Sequence, residues 1–290
     1  MMSSKSLAVA TYPTQGAQSI RRAAALLRIV AMSGDAGASL TEVAQVANLH
    51  KATVHRILKV LFEEGLLEFD EVSKQYRLGV EVYALSRSMG DKFDISAIAW
   101  DLMAKLSRDT GDTFYLAIRT GYDALCLSRS EGSYPEKTLT LNQGDRWPLG
   151  VGAFSVALLS FMPDSEIKPI IRHNAKRLAK NDQYSEELMW RQVAQTRKDG
   201  FAVTQNYVYP TMCAVGVPVL DPHGRPIASL CATAVLSRMD EARRKLIAGK
   251  LKKAARNIVA NWSALHGASR SVESWQTPAR GIRIITRSNI

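Results

Sequence analysis

Long apolar runs and secretion signals are missing from this chain. It contains no stretch of about 18 consecutive apolar residues, the length at which a membrane-spanning helix becomes a candidate. Its first residues also lack the pattern of a basic start, an apolar stretch and a small-residue cleavage site that marks a secretory signal. We therefore expect a cytoplasmic protein that makes no membrane contact.

Cysteine and histidine are scarce. Three cysteines and five histidines occur among 290 residues, with no Cys-x-x-Cys pair and no histidine at metal-ligand spacing. We therefore expect no disulfide framework, no metal and no cofactor. The motifs Gly-x-Ser-x-Gly, Gly-x-Gly-x-x-Gly and His-Glu-x-x-His are absent too. An enzyme that pairs Cys213 or Cys231 with His173 or His223 is an open alternative, although nothing local positions such a pair.

Positive charge is present but unevenly distributed, with a formal net charge of +11. Residues 1–90 hold 10 Lys+Arg and 8 Asp+Glu, residues 91–240 hold 17 of each, and residues 241–290 hold 11 and 2. The basic end is interpreted as a solvated helix face with a disordered tail, or alternatively as an auxiliary contact with flanking DNA. A nucleic-acid function must therefore be argued from local patterns and not from the net charge.

Residues 39–78 carry the pattern of a winged helix-turn-helix. The sequence SLTE at 39–42 is a capping box, and apolar residues at helical spacing after it predict a short helix. After a brief turn, a second apolar stripe predicts a helix over 51–64. Two short strands are predicted over 66–69 and 75–78, and their hairpin is the wing. This order is typical of domains that lay their second helix into the major groove of DNA.

The outward face of the predicted 51–64 helix carries side chains suited to DNA. Arg56 can form a bidentate pair with guanine, and His55 and Thr53 can bond to base edges or phosphates. The predicted DNA contacts are Thr41, Lys51, Ala52, Thr53, His55, Arg56, Lys59 and, in the wing, Lys74. Two alternatives are an ordinary solvated helix face and a protein-interaction module that presents this face to a partner protein.

Beyond residue 90, predicted strands and helices are mixed along the chain. Helices are predicted near 95–110, 152–161, 164–172, 185–199 and 240–265, and strands near 113–119, 124–130, 138–142, 212–220 and 226–235. A meandering sheet with helices packed on it is an α+β domain.

Both parts of the chain resemble one family. The sequence AQVANLHKATVHRIL at 44–58, with YRLG at 76–79, is similar to the amino-terminal domain of the isocitrate lyase regulator (IclR) family of bacterial transcription factors. Further landmarks of its effector domain lie in order at 106–113, 147–149, 199–203, 213–219 and 221–225. The resemblance covers roughly residues 18–265.

This resemblance implies a regulator rather than an enzyme. Its partners would be double-stranded operator DNA, a small-molecule effector and further copies of the chain, as a homodimer joined through the winged domains or a homotetramer. The implied organisation is a flexible arm over 1–17, the winged domain over 18–80, a linker helix over 81–93, a GAF-like effector domain over 94–265 and a basic flexible tail over 266–290.

The resemblance also assigns an effector pocket by position. Its residues would be Gly152, Ala153 and Phe154 at a helix start, Cys213 on one strand, and Cys231 and Thr233 on the next. A helix amino terminus offers free amides to a carboxylate. An equally weighted alternative is that both cysteines are buried small apolar residues.

Two departures from the family pattern bear on the effector. Ser155-Val156 stands where the family usually has a Gly-Lys pair, and residues 204–207 (TQNY) stand where it usually has acidic residues. Both changes replace charge with neutral or apolar groups. We therefore expect an organic acid with an apolar body, such as an aromatic acid, rather than a two-carbon or three-carbon oxoacid.

Overall fold

The chain divides into two units in a computed structural model. The structure describes residues 17–88 of the first unit, and residues 94–134, 141–179, 184–206 and 211–266 of the second. Most of the predicted arm and tail, and most of the predicted strand at 138–142, therefore lie outside the described residues. Within the described ranges, no helix combines the length and the apolar character needed to cross a membrane.

The first unit is a winged helix-turn-helix, as predicted. Its elements are helix α1 (Gln18–Met32), strand β1 (Ala38–Ser39), helices α2 (Leu40–Ala47) and α3 (Lys51–Glu63), strands β2 (Leu67–Asp70) and β3 (Gln75–Leu78), and helix α4 (Val80–Ser88). The strands form one antiparallel sheet in the order β1-β3-β2. Strand β1 was not predicted, because two residues are too few to show an alternating pattern.

One apolar core holds the first unit together. Leu26 from α1, Val43 from α2, and Val54 and Leu58 from α3 are all fully buried, and Leu67 of the wing joins them. The apolar stripe of each helix therefore faces the same centre. The position of α3 is set by this packing, and its other face stays in solvent.

The second unit is α+β, which confirms the predicted fold class. Its helices are α5 (Asp94–Thr110), α6 (Ala153–Ser160), α7 (Asp164–Arg177), α8 (Glu186–Asp199) and α9 (Glu241–His266). Its strands are β4 (Thr113–Thr120), β5 (Asp123–Ser130), β6 (Arg146–Pro148), β7 (Ala202–Gln205), β8 (Met212–Leu220) and β9 (Pro226–Val235). They form an antiparallel sheet in the order β6-β5-β4-β9-β8-β7.

The two faces of this sheet carry different cores. Because successive side chains on a strand point to opposite faces, Cys231 packs on the side of α6, α7 and α8, whereas its neighbour Ala232 packs on the side of α5 and α9. Every residue of α6 is buried. The candidate effector residues therefore divide according to the face on which each one lies.

Candidate nucleic-acid interface and effector site

Helix α3 is placed by a capped helix and a tight turn. The Ser39 amide donates to Glu42 Oε2 (2.7 Å) and the Glu42 amide donates to Ser39 Oγ (3.3 Å), so the predicted capping box is confirmed. The bonds that the Ser39 amide and the Ser39 hydroxyl donate to the Glu42 carboxylate lower its pKa. Helix α2 ends at Asn48, whose φ of 51° is in the left-handed region that asparagine tolerates. Helix α3 then starts three residues later, at Lys51.

The outward face of α3 is available for contacts. Six of the predicted DNA contacts lie on this helix. Thr53 is half-buried, and the other five are exposed: Lys51, Ala52, His55, Arg56 and Lys59. Within the described residues, Lys51 and Arg56 form no ion pair, whereas Lys59 Nζ lies 3.7 Å from Glu63 Oε1. The structure thus brings the six predicted residues of α3 together on one accessible helix.

A groove of about 730 Å³ lies between α3 and α1. Thr53 and Arg56 lie on its α3 side, and Gln18, Ser19 and Arg22 lie on its α1 side. These three polar residues were not among the predicted DNA contacts. The signal that could have indicated them is their position at the start of a helix that packs against α3.

The wing carries mixed charge. Lys74 Nζ lies 2.9 Å from Glu71 Oε2, so the predicted DNA-contacting cation already has a carboxylate partner. The Asp70 carboxylate accepts from the Val72 and Ser73 amides, and these bonds, strongest from Ser73, lower the pKa of Asp70 to about 2. Asp70 therefore stays ionised at neutral pH. Thr41, the remaining predicted contact, is exposed in the first turn of α2.

The start of α6 packs directly on the sheet. Gly152 has a φ of 78°, which favours glycine, and precedes Ala153 and Phe154. A Cβ at Gly216 of β8 would overlap the Ala153 carbonyl, so only glycine permits this approach. Burial raises the pKa of the Cys231 thiol to about 12, while hydrogen bonds from Thr233 and the Phe154 amide oppose that rise.

Five of the six predicted effector residues are therefore found together, and Cys213 is not among them. Cys213 pairs with Ala234, and Gly216 pairs with Cys231. Cys213 packs in the cluster with α5 and α9, on the opposite face from Cys231. Placing Cys213 in the same pocket was wrong, because an odd offset along a strand reverses the side chain.

Trp147 was missed as a candidate site residue. Its indole ring lies 5.6 Å from the Phe154 ring between centroids, and it is 4% exposed. Its Nε1 donor has no hydrogen-bond partner among the described residues. In the sequence, Trp147 was notable only as part of the family landmark at 147–149. Nothing there indicated that its indole N–H would lack an acceptor.

A winged helix-turn-helix followed by a separate α+β unit defines a DNA-binding regulator with a sensory domain. The model of the IclR helix-turn-helix domain matches residues 19–71, and the model of the bacterial transcriptional regulator IclR C-terminal domain matches residues 88–260. The chain belongs to the IclR family of bacterial transcriptional regulators.

Individual transcriptional regulators are similar in sequence to most of this chain. The HTH-type transcriptional regulator KipR of Bacillus subtilis is 26% identical over 76% of this chain and 88% of its own length. XynR of Escherichia coli, also an HTH-type transcriptional regulator, is 26% identical over 78% of this chain and 89% of its own length.

Solved structures share the fold. An IclR transcriptional regulator from Alicyclobacillus acidocaldarius superposes with a TM-score of 0.68 at 24% identity, covering 83% of this chain and 97% of that one. An IclR homologue from Microbacterium hydrocarbonoxydans, solved in complex with 4-hydroxybenzoate, gives a TM-score of 0.68 at 20% identity, covering 85% and 100%.

Proposed function

We propose that α3 is the recognition helix of this regulator and binds the major groove of operator DNA. Arg56 would form a bidentate pair with guanine, with His55 and Thr53 bonding to bases or phosphates. Lys51, Lys59 and Lys74 would bind phosphates, while Ala52 would allow close approach and Thr41 would contact the backbone from α2. The observation that carries this assignment is an exposed Arg56, without an ion pair among the described residues, on a helix whose opposite face is buried.

The test is fluorescence anisotropy on DNA from upstream of the protein's own gene, at two salt concentrations. We expect binding that weakens with salt, and an Arg56→Ala variant that loses about 1–3 kcal/mol of sequence discrimination. Arg172→Ala is the matched control, since Arg172 is an exposed arginine of the second unit. Equal discrimination by both variants would contradict the role of Arg56.

The effector is proposed to be a small organic acid with an apolar body, bound near the start of α6. Amides at a helix amino terminus attract a carboxylate, and Gly152, Ala153, Phe154, Cys231 and Thr233 lie together there. The neutral Ser155-Val156 pair follows, and Ser155 Oγ donates to backbone carbonyls of its own turn. The 4-hydroxybenzoate bound by the Microbacterium homologue supports an aromatic acid.

Calorimetry tests this effector class directly. We expect 4-hydroxybenzoate or benzoate to bind and glyoxylate or pyruvate to bind more weakly. Tight binding of the oxoacids, without binding of the aromatic acids, would overturn the proposal. The DNA assay does not depend on this result.

We further propose that the chain acts in the cytoplasm as a homodimer or homotetramer, with the winged domain at 18–80, the linker at 81–93 and the effector domain at 94–265. Three large apolar side chains of the first unit, Ile20, Val80 and Tyr83, are 71%, 70% and 67% exposed, which suits contact with a second copy. Sedimentation would show a dimer or a tetramer, and a monomer at micromolar concentration would contradict this.

A role as a regulator without enzyme activity is supported by the state of the thiols. Burial raises the pKa of Cys213 to about 11 and of Cys231 to about 12. A thiol is nucleophilic as its thiolate, so neither residue suits covalent catalysis at neutral pH. A Cys213→Ser variant that still responds to effector would remove one of the two candidate nucleophiles of the enzyme alternative.

A further inference from the structure

Trp147 has a buried donor that nothing in the described protein accepts from. The residue is 4% exposed, and its Nε1 has no hydrogen-bond partner among the described residues. Buried indole N–H groups usually have a partner, because an unmet donor loses its bond to water without replacement. The missing acceptor therefore needs an explanation.

The indole ring covers the middle of the sheet. Trp147 starts from the edge strand β6, opposite Ala124 of β5. Its ring extends to Phe154 and Gly152, and the Phe154 amide in turn bonds to Cys231 of β9. Since β6 and β9 are separated by three strand spacings, or about 14 Å, the ring and Phe154 together cover β5 and β4.

The floor beneath the ring is made of small residues. Ala117, Ala124 and Cys126 are buried in the same cluster as Trp147. The ring atoms closest to Gly152 are Cζ3 and Cε3, and Nε1 lies on the opposite edge of the indole. The free donor therefore lies on the edge of the ring that faces away from Gly152, at the start of α6.

A second polar group without a partner lies on the same face of the sheet, one row further along the strands. Ser229 of β9 is fully buried, its Oγ has no hydrogen-bond partner in the described part of the chain, and it pairs with Ala117. Ala117 pairs in turn with Cys126, whose amide donates to the Asp145 carbonyl. Two polar side chains without a partner among the described residues, on one apolar face of the sheet, indicate that a polar ligand atom completes the site.

The charge next to Trp147 limits what that atom is. Asp145, just before β6, is 5% exposed, and its carbonyl accepts from the Cys126 amide. Its negative charge contributes to the raised pKa of the Cys126 thiol, after burial. A second carboxylate at this position would be repelled, whereas a hydroxyl or carbonyl oxygen would not.

We propose that Trp147 determines effector specificity by donating its indole N–H to a neutral oxygen, hydroxyl or carbonyl, on an aromatic acid. The ligand's carboxylate lies at the start of α6, and its second oxygen lies over the small-residue floor. The inference rests on the aromatic-acid effector proposed above. It adds that the acid carries a neutral acceptor at a second ring position.

The test compares 4-hydroxybenzoate with benzoate, which lacks the second oxygen. By calorimetry on the full chain, we expect 4-hydroxybenzoate to bind about 10-fold more tightly, the effect of one buried hydrogen bond. Trp147→Phe removes the donor and is expected to bring the ratio close to one. Trp190→Phe is the matched control, since Trp190 packs partly buried against the same core, and its ratio should stay near 10.

A direct readout does not depend on how well the variants fold. In the wild-type chain labelled with ¹⁵N-tryptophan, the Trp147 indole N–H resonance should move downfield with 4-hydroxybenzoate and less with benzoate. An unmoved resonance, or a preference that survives in Trp147→Phe, would overturn the role of Trp147 while leaving the aromatic effector intact. Failure of both probes to bind wild type would overturn the effector class, and this inference with it.

Discussion

The capping box at the start of α2 gives a prediction that isolates the first unit. Replacing Ser39 by alanine removes the hydroxyl that accepts from the Glu42 amide at 3.3 Å. Loss of a serine N-cap costs about 1 kcal/mol in the free energy of unfolding. For a domain of 60–100 residues, this corresponds to a fall in Tm of about 4–8 °C.

The tryptophans allow this change to be assigned to one unit. All five follow residue 92, at Trp100, Trp147, Trp190, Trp262 and Trp275. Far-ultraviolet circular dichroism should therefore record a lowered transition in Ser39→Ala, whereas the tryptophan fluorescence transition should not move. Ser86→Ala is the control, since in the described part of the chain the Ser86 hydroxyl donates only to the Tyr83 carbonyl of its own helix. Equal shifts in both variants would refute the reasoning.

Glu42 extends the same prediction to pH. Its pKa is lowered in the folded chain by the Ser39 bonds, so its stabilising effect is complete above the unfolded value of 4.5 and disappears as pH falls through the lower folded value. The stability advantage of wild type over Glu42→Gln should therefore shrink only in acid. A constant difference from pH 7 to pH 2 would contradict this.

Three further predictions concern the second unit. Asp112 has a fully buried carboxylate that pairs with Arg238 and Arg243 at 2.8 Å each. Asp112→Ala should lower the fluorescence-detected free energy of unfolding by about 3 kcal/mol, because it leaves two partly buried cations unpaired. Gly216→Ala should cost about 1–3 kcal/mol in the same assay, because its Cβ meets the Ala153 carbonyl. The three cysteine thiols, whose pKa values are raised by burial to between about 11 and about 12, should react with a thiol reagent at pH 8 only after unfolding.

Local patterns predicted the first unit well, because its determinants are close in sequence. The capping box at 39–42 and the apolar stripe through Val54 and Leu58 each lie within a few turns of one helix. The two-residue strand β1 escaped, since it exists only through its pairing with β3. Short-range patterns therefore predicted the helices and the two strands of the wing, but not the additional strand β1.

The effector site was harder to predict because it is assembled by a sheet. Cys213 shares its alternation with Val215, Val217 and Val219, which all pack towards α5 and α9. This alternation of apolar residues along β8 is visible in the sequence. It would have indicated that Cys213 and Cys231 face opposite sides of the sheet. The contact of Trp147 with Phe154 carried no such signal, because it depends on how the chain crosses the sheet between them.

The way α3 is held has a consequence for how operator preference can diverge. Its orientation depends on Val54, Leu58 and the Asn48 turn, none of which lies on the outward face. Replacements of Ala52 or His55 touch neither the core nor the turn, and exposed substitutions usually change stability by less than about 0.5 kcal/mol. Descendants of one such gene can therefore acquire new target sequences through changes in a few surface codons, without first evolving a more stable domain.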